Sequence, residues 1–171
     1  MAALRDDRFN FWPKPTTVTE TVTVLHPGDV ALGRSGDRFE TLLGSCISII
    51  LTDPRRTVAV MCHIVHSGTA PADERGSQTT HAEPALAAMF DMLQGCGINP
   101  QMCEAYLHGG GNMFPSLFTQ AHVGQSNADW ALQALADLGI RLCGRDTGGT
   151  ALRQITWTVG PGAPEVRLGN I

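Results

Sequence analysis

Two apolar, β-rich runs, Phe39 to Leu51 and Thr57 to Val65, flank the polar stretch Asp53-Pro54-Arg55-Arg56. A chain with that pattern has few choices besides an antiparallel hairpin. Pro54 suits the second position of a type I turn, and Asp53 suits the first. A turn centred between Pro54 and Arg55 sets Ile47, Ile49 and Leu51 opposite Cys62, Val60 and Val58, a continuous apolar face. The same register sets Cys46 directly opposite His63. Directly opposed residues share a face with Cβ atoms roughly 4.5–5.5 Å apart, so thiol and imidazole come within hydrogen-bonding reach. The turn is the weak point, because type I geometry matches strand twist poorly in two-residue hairpins, and a bulge slips the register.

The rest of the chain is a series of short elements. Thr21–Leu25 and Val30–Leu32 read as strands around the turn His26-Pro27-Gly28-Asp29, and Gly33–Asp37 reads as a further turn. Ala82, Ala85, Leu86, Met89 and Leu93 fall at helical spacing, and Gly95 and Gly97 stop that helix. Thr80 and Glu83 form a capping-box pattern at its start. A second helix runs from near Asn127 to Leu138, with Trp130, Ala131, Ala134, Leu135 and Leu138 inward. Glu104–His108, Arg141–Cys143, Arg153–Val159 and Glu165–Leu168 read as strands. Many strands, two helices and no regular βαβ alternation predict an α+β fold. Residues 1–20, polar with Pro13 and Pro15, read as a flexible arm ahead of one domain over residues 21–171.

Composition excludes several classes. The chain is 43% hydrophobic and 16% charged, a globular balance. Its net charge is −4 and its only lysine is Lys14, so no basic stripe offers itself to nucleic acid. No apolar run approaches the roughly 18 residues of a membrane span, and Arg5, Asp6, Asp7 and Arg8 stand where a signal peptide needs an apolar core. The expected location is the cytosol, without membrane insertion. Five cysteines without a framework-like spacing read as free thiols.

A histidine beside Cys46 gives that thiol a chemistry. Its imidazole would stabilise the thiolate as an ion pair, and the imidazolium could protonate an amine leaving a carbonyl attacked by sulfur. Gly44-Ser45 provides a sharp bend whose N–H groups can face a developing oxyanion. Free cysteines are more often small buried hydrophobes, and residue types alone leave both readings open.

In sequence, Thr41-Leu42-Leu43-Gly44-Ser45-Cys46-Ile47-Ser48 followed by His63 resembles the CheD family of chemoreceptor glutamine deamidases. Further features agree in order: His26-Pro27-Gly28-Asp29, Gly109-Gly110-Gly111-Asn112-Met113-Phe114, Val123-Gly124 with Asn127, and Asp146-Thr147-Gly148-Gly149 followed by Arg153. The resemblance spans roughly residues 24–168. It implies Cys46 as nucleophile, His63 as general base and Thr41 as the residue that orients the histidine. It implies mixed sheets packed as a sandwich with helices outside, like the bacterial toxin deamidases. The implied reaction hydrolyses glutamine side chains of methyl-accepting chemoreceptors to glutamate through a thioester, with no cofactor. A CheC-type phosphatase is the implied regulatory partner, and the rival reading is a non-catalytic module that binds such a phosphatase or a receptor. Three places depart from the family pattern: Ile64-Val65-His66 after the histidine, His81 near a usual tyrosine, and Leu152-Arg153 near a usual Gly-Arg.

Cys62, His63 and His66 with Cys103 or His108 invite comparison with a zinc site. Consecutive strand residues point to opposite faces, so Cys62 and His63 cannot easily share a metal, and none is expected. His26, His108 and His122 read as satisfied or exposed side chains. The triple glycine lacks the Lys-Ser/Thr of a phosphate loop and reads as close backbone packing beside the site.

Overall fold

The computed structural model describes residues 20–170, and the arm expected over residues 1–20 lies outside them apart from Glu20. Among these described residues nine strands and two α-helices follow one another: β1 (Val22–Leu25), β2 (Val30–Arg34), β3 (Arg38–Leu43), β4 (Ile47–Thr52), β5 (Val58–Cys62), α1 (Ala82–Gly95), β6 (Glu104–Gly109), α2 (Val123–Asp137), β7 (Arg141–Thr147), β8 (Leu152–Thr158) and β9 (Glu165–Gly169). One sheet has the order β1-β3-β8-β9 and the other β2-β5-β4-β6-β7. Both are mixed, since β1 and β3 run parallel, as do β6 and β7.

Three layers result. Leu25, Phe39, Leu43, Ile155 and Trp157 of the first sheet meet Ile50, Ala59, Met61 and Tyr106 of the second. The opposite face of the five-stranded sheet, with Ile47, Ile49, Leu51, Val58 and Val60, packs against Ala85, Met89 and Leu93 of α1 and Ala131 and Leu135 of α2. The α+β sandwich with external helices is therefore present. Every residue of β4 and β5 is buried, because both faces of these strands are covered. That double cover explains why their sequences run apolar continuously instead of alternating.

The hairpin departs from expectation in one respect. Asp53–Arg56 does make the turn, with Arg56 N–H donating to the Asp53 carbonyl at 2.9 Å. The ladder, however, closes only at Asp53 and Val58, and Arg56 adopts a left-handed φ of 59°. The Asp53 carboxylate accepts from Thr57 N–H, Thr57 Oγ1 and Val58 N–H at 2.7–2.9 Å, which holds the wider loop. β4 and β5 thus pair as Ile50–Met61 and Leu51–Val60, two places along from the two-residue register. A two-place shift leaves every side chain on its predicted face.

Both helices also differ at their starts. α1 has His81 at its N-cap position with no side-chain cap bond, and the Thr80–Glu83 box does not form because the Thr80 hydroxyl donates to the Ser77 carbonyl. α2 begins at Val123, one turn before Asn127, because His122 Nδ1 accepts the Gln125 N–H at 3.2 Å. The connection β6–α2–β7 is a parallel crossover, one βαβ unit in a chain whose sequence shows no regular βαβ alternation.

Candidate active site

Thr41 and His63 meet in the space between the sheets, at 2.9 Å, and Cys46 lies on the same face without a hydrogen bond from its thiol to His63. Thr41 lies on β3 with its side chain inward, flanked along the strand by buried Phe39 and Leu43. Cys46 ends the Gly44-Ser45-Cys46 bend that carries the chain from the first sheet into the second. His63 follows β5, and its backbone is gripped by the His26–Asp29 turn. Its N–H donates to the Asp29 carbonyl at 3.0 Å, and its carbonyl accepts Gly28 N–H at 2.8 Å.

Because of the wider turn, His63 is not directly across from Cys46. Ile47 pairs with Ile64, which places Val65 across from Cys46 and Ser48 across from His63. Cys46 and His63 are diagonal neighbours on the face between the sheets, while Cys62 belongs to the helix-side core.

The orientation of His63 follows from donor counting. Thr41 Oγ1 donates its only proton to the Leu25 carbonyl at 2.8 Å. At its 2.9 Å contact with His63 Nδ1 it must therefore accept, so Nδ1 carries the ring proton. Nε2 is left as a bare lone pair, and it has no hydrogen-bond partner among the described residues. Burial lowers the His63 pKa from its ordinary value, against the opposing pull of the Leu25 carbonyl and Asp29. Burial also raises the Cys46 thiol, with its own N–H pulling partway back. Both directions favour uncharged partners. Burial thus works against the ion pair that adjacency alone suggests.

The bend that presents Cys46 is fixed by its carbonyls. Gly44 O accepts Gly111 N–H at 2.9 Å, and Cys46 O accepts Gly110 N–H at 2.8 Å. Ser45 O accepts Asn127 Nδ2 at 3.1 Å. Ser45 N–H and Cys46 N–H are committed to no carbonyl among the described residues. The glycine run is required at this approach. A Cβ on Gly109, which has φ 105°, would strike the Cys46 carbonyl oxygen, and one on Gly110 would meet the Gly124 oxygen at 2.6 Å. Behind the run, Asn112 N–H donates to Gly149 O and Gly148 N–H to Gly109 O, while Arg153 pairs with Asp146 at 2.9 Å. The later motifs thus brace the Cys46 bend from β7 and β8.

Two buried polar groups lie deeper on the same face. Ser48 is across from His108 in the β4–β6 ladder, and His108 is across from Asp146. Ser48 Oγ and His108 Nδ1 have no partner among the described residues. His108 is therefore neither satisfied nor exposed, and burial pushes its pKa down to about 4. Beside Ser45 opens a cleft of about 500 Å³ lined by Met113, Phe114, Phe118, Val123 and Gly124. It is mostly apolar and reaches the bend from outside.

Asn127 carries no role that its sequence position alone reveals. Its side chain, buried to 1% exposure, also donates to Val65 O at 2.9 Å. No local signal marks such a bridge, because it joins segments 62 and 82 residues away.

A family model for CheD, described as chemotactic sensory transduction, matches residues 66–167. A protein of Methanococcus vannielii is 32% identical over 143 residues, covering 84% of this chain and 92% of its own. A second, from Albidiferax ferrireducens, is 33% identical over 141 residues, covering 81% and 82%. Their names are "Probable chemoreceptor glutamine deamidase CheD" and the same with the numeral 2. The crystal structure of a Neisseria meningitidis protein superposes with TM-score 0.46 and 11% identity over 82% of this chain and 76% of that one, a likeness too slight to bear on function.

Proposed function

This chain belongs to the CheD family, and from that premise we propose that it hydrolyses glutamine side chains of chemoreceptors to glutamate, with Cys46 as nucleophile. One observation carries the reading: Thr41 holds the proton of His63 on Nδ1, which leaves Nε2 bare on the face that Cys46 shares. A neutral base needs that lone pair.

The reaction runs from the neutral pair. His63 Nε2 takes the thiol proton as Cys46 Sγ attacks the carboxamide carbon. The carbonyl oxygen becomes an oxyanion, and the N–H groups of Ser45 and Cys46, at the bend opened by Gly44, are its donors. Collapse expels ammonia, to which the imidazolium returns the proton, and leaves a thioester. Water then attacks the thioester and gives one proton to Nε2. The C–S bond breaks, the sulfur regains that proton, and glutamate is released. Thr41 keeps the ring in one tautomer throughout and touches no reacting atom.

A chain that only binds has no need of a base nitrogen held bare on the face that carries the Cys46 thiol, which supports the catalytic reading. The proposal extends to action in the cytoplasm and to a CheC-type phosphatase as regulatory partner, the latter on family resemblance alone. Among the described residues no helix is long and apolar enough to cross a membrane. The test is incubation with a purified cytoplasmic helical fragment of a chemoreceptor. Ammonia release with conversion of specific glutamines to glutamate supports the reading, and binding without conversion refutes it.

A further inference from the structure

The donors proposed for the oxyanion belong to peptide units whose carbonyls are held elsewhere. In a trans peptide the N–H points away from the C=O of the same unit, and the described residues contain no cis peptide. The direction of Cys46 N–H is therefore set by whatever holds the Ser45 carbonyl, and that group is Asn127.

We propose that Asn127 is a positioning residue for the oxyanion donor: its amide clamps Ser45 O and Val65 O together and so aims Cys46 N–H into the site. The inference rests on the covalent reading above. One NH₂ group donates both of its hydrogens, at 3.1 Å to the residue before the nucleophile and at 2.9 Å to the residue across from it. The clamp is rigid because α2 cannot drift from the bend. A Cβ on Gly124 would lie 2.6 Å from the Gly110 carbonyl carbon, so helix and glycine run already touch backbone to backbone. Asn127 sits one turn further along and is 1% exposed. No other residue type of this length offers two donors on one planar nitrogen without a charge.

Acyl transfer needs an oxyanion donor, whereas alkylation of a thiol by iodoacetamide displaces iodide at a CH₂ group and forms no oxyanion. Asn127→Ala should therefore lower kcat for deamidation of the receptor fragment by roughly ten- to hundredfold, with KM little changed. Iodoacetamide labelling of Cys46, read by peptide mass, should stay within about threefold of wild type, since attack by sulfur itself is spared. Gln133→Ala, on the exposed side of the same helix, should change neither. If Asn127→Ala melts below the assay temperature, Asn127→Ser, which keeps one donor too short to span both carbonyls, replaces it with the same expectation. Equal losses in both reactions would make Asn127 merely structural, and undiminished deamidation would overturn the proposal. Undiminished deamidation by Cys46→Ala would instead overturn the covalent reading on which it rests.

Discussion

Thr41 and His63 lie 2.9 Å apart, Oγ1 to Nδ1, and the hydroxyl proton is already given to the Leu25 carbonyl. The contact exists because β1 and β3 run parallel, with Leu25 paired to Thr41. That pairing puts a backbone acceptor within reach of the hydroxyl, which in turn decides which ring nitrogen of His63 is protonated.

Thr41→Val keeps the shape of the side chain and removes the acceptor. The Nδ1–H then loses its partner, and the tautomer with a protonated Nε2 becomes accessible. Deamidation should fall by roughly ten- to hundredfold, less than a complete loss of the base. Thr41→Ser, which restores the hydroxyl, should recover most of the rate. Steady-state kinetics of the pair check this, and equal activity in Thr41→Val and wild type would contradict it.

His63 must be neutral to accept a proton, and burial moves its pKa below the ordinary value of 6.5. A lowered pKa keeps the base available further into acid. The acid limb of kcat/KM should therefore fall at a pH below 6.5, with activity lost as pH drops through that limb. A pH–rate profile of the wild-type enzyme measures it. An acid limb above 6.5 would instead indicate a histidine held as imidazolium.

His108 links pH to stability. Its pKa is about 4 when folded and 6.5 ordinarily, so between these values the unfolded chain binds the extra proton. The sign is that of a depressed histidine: stability is full above 6.5 and is lost as pH falls toward 4. The loss amounts to about 3 kcal/mol. Chemical denaturation at several pH values should show His108→Phe losing less stability over this window than wild type. Identical pH dependence in the two proteins would show that His108 takes up no proton on unfolding.

Gly109→Ala places a methyl group against the Cys46 carbonyl at a φ of 105°. Strain of this kind costs about 1–3 kcal/mol, and the bend carrying Cys46 is the neighbour that must give. A lowered Tm together with more than proportionate loss of deamidation at a temperature where the variant stays folded is the expected outcome. Gly139→Ala, whose left-handed φ of 67° carries similar strain but whose Cβ meets nothing, should lower Tm without that extra loss.

Much of this arrangement was legible in the chain because it depends on parity and local chemistry. The α1 residues Ala82, Ala85, Leu86, Met89 and Leu93 are all buried, since helical spacing alone decides which face meets a sheet. Cys46 and His63 share a face because strand alternation survives a two-place shift. The shift itself was hidden, as it depends on the Asp53 carboxylate gathering Thr57 and Val58 into a wider loop. The start of α2 was missed because a histidine caps it. Adjacency across the hairpin suggests an ion pair, and only the packed sandwich reveals that burial moves each partner toward its uncharged form.

The central claim is that Cys46 forms the covalent intermediate. The most direct measurement compares Cys46→Ala with Cys62→Ala on one receptor fragment, scoring glutamine-to-glutamate conversion by mass spectrometry and folding by thermal melting. Cys62 lies in the helix-side core with its thiol pushed up to about 12, so its loss should alter stability and leave conversion in place. Cys46→Ala should stay folded and convert nothing. Conversion that survives in Cys46→Ala, or that disappears only in a folded Cys62→Ala, would contradict the account.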